Sequence, residues 1–183
     1  MLSWLSEIIL SLSGWKTNGA LPPGIKKAVI IVAPHTSYWD FVIGRFTFWR
    51  SKVKIKVLIK SEAFAFPLGL LLKSLGGIAV DRGKKNNMVE QVVEQFNNSE
   101  SLIVVITPEG TRKKIRHWKK GFYLIAKEAK VPIALAFIDY KKKTGGVGLL
   151  IYPSDDMEKD MNLIAEFYKD KTGKFPENFS LPL

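Results

Sequence analysis

Apolar positions recur along this chain with two periods, and the two alternate. Residues 26–34 hold a nearly unbroken run of Ala, Val and Ile ended by a proline, the pattern of a strand buried on both faces. Residues 102–106 and 131–138 read the same way, and 78–80 and 147–151 predict shorter strands. In residues 53–59 apolar side chains alternate with Lys54 and Lys56, following Lys52, which predicts a strand with one basic face. Between these runs the period lengthens. Val89, Val92, Val93 and Phe96 keep the i, i+3, i+4, i+7 spacing of a helix over 87–96, with Asn87 and Glu90 placed as a capping box. Further helices are predicted over 37–49, over 66–75 before Gly76-Gly77, over 118–129 and over 161–168.

Strands and helices in alternation predict an α/β fold, a single domain with a largely parallel central sheet flanked by helices. Ahead of it, residues 2–15 predict an amphipathic helix. Leu2, Leu5, Ile9 and Leu12 share one side with Trp4, Ile8 and Trp15 next to them, while Ser3, Ser6, Glu7, Ser11 and Ser13 take the other and Leu10 breaks the pattern. Such a helix either lies on a membrane or packs on its own domain. The Leu21-Pro22-Pro23-Gly24 break separates residues 1–20, this helix and its connector, from a domain over 21–183. No apolar run approaches about 18 residues, so no membrane-spanning helix is predicted. The N-terminal residues also lack the basic region and small-residue cleavage site of a secretory signal.

Charge adds a partner class. The 183 residues carry 28 Lys+Arg against 17 Asp+Glu, a net +11, which calls for an anionic partner: nucleic acid, anionic lipid, a phosphorylated metabolite or an acidic carrier protein. Arg116-His117-Trp118-Lys119-Lys120 mixes basic and aromatic residues, but no recognised nucleic-acid motif accompanies it. The absence of cysteine removes disulfides, a Cys nucleophile and thiolate metal sites. His35 and His117 are the only histidines, too few for a His-rich metal centre.

Ligands in open α/β sheets bind beyond the carboxyl ends of the strands. Three polar clusters follow predicted strands: residues 33–40, 77–82 and 107–112. In the first, Asp40 lies five residues after His35. If the chain turns into a helix there, Asp40 accepts a bond from one ring nitrogen and leaves the other free as a base. That is two-thirds of a catalytic triad, with the nucleophile left to a substrate hydroxyl. In the other two clusters, Arg82 and Arg112 offer planar, bidentate donors suited to phosphate. Gly110 permits close backbone approach, and Glu109 is placed to hold Arg112 or a substrate hydroxyl.

At these residues the sequence resembles the glycerolipid acyltransferase family, which contains the 1-acylglycerol-3-phosphate acyltransferases. Four motifs appear in order over about 100 residues: His35 and Asp40 with four residues between; Gly76 to Arg82 in a Gly-x-Ile-x-Val-Asp-Arg arrangement; Pro108-Glu109-Gly110-Thr111-Arg112; and Val131-Pro132-Ile133 opening an apolar strand. The resemblance implies transfer of a fatty acyl group from a thioester, acyl-CoA or acyl carrier protein, to a lysolipid hydroxyl. It implies that His35 is the general base and Asp40 its support. Acceptor binding falls to Arg82, Glu109, Gly110, Thr111 and Arg112, with Lys60 and Lys120 as further phosphate contacts. No cofactor or metal is implied, and no specific nucleic acid. The enzyme would sit as a peripheral protein on the cytoplasmic face of the cell membrane. A non-phosphate acceptor, a lysoaminolipid or a glycolipid, stays open, as Leu135 replaces a proline found in many members.

Overall fold

The structure, a computed structural model, describes residues 2–74, 76–80 and 85–182. In chain order its elements are α1 (Leu2–Leu12), β1 (Lys16–Thr17), β2 (Lys27–Ala33), α2 (Trp39–Arg50), β3 (Ile55–Lys60), α3 (Leu68–Ser74), β4 (Gly77–Val80), α4 (Lys85–Asn97), β5 (Leu102–Ile106), α5 (Gly121–Glu128), β6 (Ile133–Asp139), β7 (Thr144–Ile151) and α6 (Met157–Tyr168). The described strands form one sheet in the order β1-β7-β6-β2-β5-β3-β4. Its neighbours are parallel except β6 and β7, which are joined by a tight turn and run antiparallel.

β2 is the centre, and its composition says why. Val29, Ile31 and Ala33 point into one core, against α4, α5 and α6. Ala28, Ile30 and Val32 point into the other, with Phe48 of α2. A strand between two cores has no polar face, so the uninterrupted apolar run is its signature. The sheet order brings the carboxyl ends of β2, β5 and β6 side by side, and the loops after them share one edge.

Local chemistry moves several boundaries from the sequence expectations. The first helix stops at Leu12 rather than 15, because Gly14 takes a left-handed φ of +76° and turns Trp15 inward. The chain then enters the sheet: Lys16 and Thr17 pair with Thr144 and Gly145 of β7. The connector after α1 is therefore tied into the same sheet as the rest. α4 starts at Lys85, which puts Asn87 inside the helix and not at its cap. α6 starts four residues early because the Asp156 side chain accepts the Lys159 N–H.

α1 packs on α2 with the unexpected side. Ser6 and Leu10 are buried, and Glu7 pairs with Arg50 of α2 at 3.1 Å. Trp4, Leu5 and Leu12 of the apolar side stay exposed, Leu12 at 85%.

Candidate active site

His35 stands two residues beyond β2, after Pro34 ends the strand. Its imidazole Nδ1 lies 3.2 Å from Asp40 Oδ2. Asp40 sits in the first turn of α2, where the helix dipole favours a carboxylate. The same Oδ2 accepts the backbone N–H groups of Thr36 and Ser37, each at 2.8 Å. The turn from strand to helix thus folds around Asp40, and the carboxylate is fixed before it meets the histidine. Asp40 is buried while His35 keeps a partly open edge. The helix-start N–H groups of Thr36, Ser37 and Trp39 all have partners inside this turn, so they are not free to hold a reaction oxyanion.

The third motif approaches from β5. Glu109 accepts the backbone N–H of His35 through Oε2 at 2.8 Å. It is 3% exposed, and its Oε1 has no hydrogen-bond partner among the described residues. Burial first, and then the charge of Asp40, push its carboxyl up to about 8 against an ordinary 4.5. Glu109 therefore stands against the backbone of His35 and off the cleft wall, and it makes no ion pair with Arg112 among the described residues. Gly110 takes a left-handed φ of +67° and lines the cleft, with the Lys119 side chain across the space a Cβ would fill. Thr111 is half-buried off the cleft wall, its hydroxyl 3.3 Å from the Lys113 N–H. Arg112 lines the cleft and stacks on the Tyr38 ring, its guanidinium carbon 3.7 Å from the centroid. It pairs with no carboxylate among the described residues. Arg82 lies outside the described residues, as does the side chain of Lys60 at the end of β3. Lys120 is on the cleft wall.

The cleft has a volume of about 990 Å³. His35, Tyr38, Gly110, Arg112 and Lys119 give it a polar mouth at the strand ends. Away from that mouth the wall is largely apolar, with Val32, Phe41, Phe48, Ile55, Val57 and Val105 between α2 and the sheet and Met88, Val89 and Leu124 on the side of α4 and α5; Arg45, Glu90 and Glu128 are charged residues on it. A polar mouth and a largely apolar interior match a molecule with a polar head and an apolar tail.

A family model described as Acyltransferase matches residues 16–138, two thirds of the chain. The chain is a member of the acyltransferase family. No curated protein matches it in sequence. Among solved structures, this acyltransferase is similar to the 1-acyl-sn-glycerophosphate (LPA) acyltransferase PlsC from Thermotoga maritima. The two share 17% identity and a TM-score of 0.64, over 94% of this chain and 80% of that one. At that identity the likeness is one of fold.

The acyltransferase site contains one partner that the sequence reading missed. Tyr140, the first residue past β6, donates its hydroxyl to Asp40 Oδ1 at 2.7 Å. Burial, and then the bond to Asp40, push the phenol proton far above its ordinary range, so the hydroxyl is a constant donor. The available signal was positional: a tyrosine at the carboxyl end of a strand adjoining β2. The segment after α6 closes in from the same side. Thr172 accepts the Tyr140 N–H at 2.8 Å, and the Phe175 N–H donates to the Thr36 hydroxyl at 3.2 Å.

Proposed function

We propose that this acyltransferase moves a fatty acyl group from a thioester, acyl-CoA or acyl carrier protein, to the hydroxyl of a lysophospholipid such as 1-acylglycerol-3-phosphate. The observation that carries the reading is the His35–Asp40 pair at the mouth of a cleft with an apolar interior and a guanidinium, Arg112, on the same mouth. The acceptor hydroxyl approaches the free ring nitrogen of His35. As its oxygen attacks the thioester carbonyl, His35 takes the proton, and Asp40 stabilises the imidazolium. The tetrahedral adduct collapses with loss of the thiolate, which recovers that proton and leaves as a thiol. One C–O bond forms, one C–S bond breaks, and the proton balance closes on His35. General-base assistance of this kind is worth roughly 10²- to 10⁴-fold. A thioester is already activated, so the scheme calls for no metal or cofactor.

Arg112 is pre-stacked on Tyr38 and unpaired by any described carboxylate, which suits a phosphate head over a neutral one. Arg82, Lys60 and Gly110 complete the proposed acceptor site. The apolar walls of the cleft take fatty chains. The exposed Trp4, Leu5 and Leu12 of α1, with Trp39 and Phe41 at the start of α2, form the proposed contact with lipid on the cytoplasmic face of the cell membrane, where the net charge of +11 favours an anionic surface. No described helix is long and apolar enough to cross a membrane.

The test is an acyl-transfer screen with labelled acyl-CoA and acyl carrier protein against lysophospholipid, lysoaminolipid and glycolipid acceptors, with His35→Ala as the blank. Transfer to a phosphate-bearing lysolipid that His35→Ala abolishes supports the reading. Transfer that survives in His35→Ala overturns the general-base role, and transfer only to neutral acceptors overturns the phosphate assignment.

A further inference from the structure

Asp40 is surrounded by donors on both oxygens, but the two sides are built differently. Oδ2 is held by the backbone of its own turn, through Thr36 and Ser37, and faces His35. Oδ1 is held by the Tyr140 hydroxyl, which comes from a strand end a hundred residues away. A carboxylate fixed at one oxygen still pivots; the second bond stops the pivot and sets the plane that His35 meets. Tyr140 is itself braced. Its N–H is bonded to Thr172, and the Trp15 ring stands edge-on against its ring, with centroids 5.1 Å apart and planes at 90°. Trp15 is fixed in turn by its N–H to the Leu10 carbonyl at 2.7 Å and by Lys16, whose N–H bonds the Lys143 carbonyl at 2.9 Å.

We propose that Tyr140, backed by Trp15, is a positioning residue of the His35–Asp40 pair, so that the connector after α1 helps to orient the general base. The inference rests on the general-base reading of His35. Tyr140 touches no reacting atom; it acts through Asp40. The contact is absent from the four sequence motifs and joins the N-terminal segment to the chemistry through two side chains.

Tyr140→Phe removes the hydroxyl and keeps the ring. A hydrogen bond to a buried carboxylate of this kind converts to a loss of roughly 10- to 100-fold in kcat, with KM for both substrates unchanged. Trp15→Ala lowers kcat less, and Trp15→Phe, which keeps a ring against Tyr140, recovers part of that loss. A second readout is independent of turnover. With two histidines in the chain, the low-field imidazole N–H signal of His35 is assigned by its absence in His35→Ala. In Tyr140→Phe that signal shifts or broadens, because the carboxylate facing Nδ1 has lost its outer anchor. Parent-like kcat with an unmoved signal overturns the proposal, as does a loss of activity fully accounted for by unfolded protein while the folded fraction keeps the parent signal. Failure of the general-base reading itself shows differently: His35→Ala stays active while the signal still responds to Tyr140→Phe.

Discussion

Glu109→Gln separates the two consequences of burying a carboxyl behind His35. Glu109 accepts the His35 N–H through one oxygen, and the other finds no donor among the described residues. Burial raises its carboxyl from 4.5 to about 8. Between those values the folded protein keeps a proton that the unfolded chain has released, so stability falls as pH rises. The contribution is intact below about 4.5, declines through the interval and reaches its floor above about 8. At roughly 1.4 kcal/mol for each pH unit the ceiling is about 5 kcal/mol, of which about 3 is already lost at pH 7. Gln is isosteric, keeps a carbonyl for the His35 N–H and does not titrate. Urea unfolding of both proteins from pH 5 to pH 9 gives a difference curve in which other groups cancel. Near pH 5 the two are of similar stability, and above pH 8 the Gln variant is the more stable by a few kcal/mol. Parallel curves across the range would refute the claim that Glu109 stays unpartnered in the folded site.

Asp40→Asn brings an amide donor into a ring of donors, Thr36 N–H, Ser37 N–H, the Tyr140 hydroxyl and His35, so kcat should fall by roughly 10²- to 10⁴-fold and the melting temperature should drop; parent-like turnover counts against the pairing at 3.2 Å. Arg112→Ala should raise KM for a phosphate-bearing acceptor with little effect on a neutral one; equal effects on both, in parallel kinetics, remove its assignment to phosphate. Replacing Trp4 and Leu12 with Ser should weaken sedimentation with anionic vesicles and leave the thermal midpoint unchanged, as both side chains are exposed; an unchanged vesicle affinity sinks the proposed lipid contact.

The sheet was legible because its strands answer to one local rule. Residues buried on both faces must be apolar, and β2, β5 and β6 are apolar along nearly their whole length. β1 was not, since Lys16 and Thr17 have no pattern of their own; they are strand residues only because β7 offers an edge. The same division runs through the site. His35 and Asp40 are five apart, and one turn of backbone brings them together, so sequence spacing sufficed. Tyr140 reaches Asp40 through the adjacency of β2 and β6, which no spacing along the chain encodes. Motif membership does not place Glu109 either: its sequence neighbours Gly110 and Arg112 line the cleft, while Glu109 turns to the His35 backbone. Which way a side chain points from a turn is set by φ, and the left-handed Gly110 turns the chain between them.

α1 shows why amphipathic pattern alone does not choose a partner. A helix that packed on its domain by the usual rule would bury its most apolar side. Here Ser6 and Leu10 are buried and Glu7 pairs with Arg50 of α2, while Trp4, Leu5 and Leu12 face outward. The small Ser6 side chain permits close approach to α2, and the large residues are left without protein to cover them. Leaving these large apolar side chains in water costs free energy. The helix packs on its domain with a side that leaves Trp4, Leu5 and Leu12 exposed. Through Trp15 and Tyr140 that same segment reaches Asp40, so the exposed apolar side chains of α1 and the carboxylate beside His35 are joined by one short piece of chain.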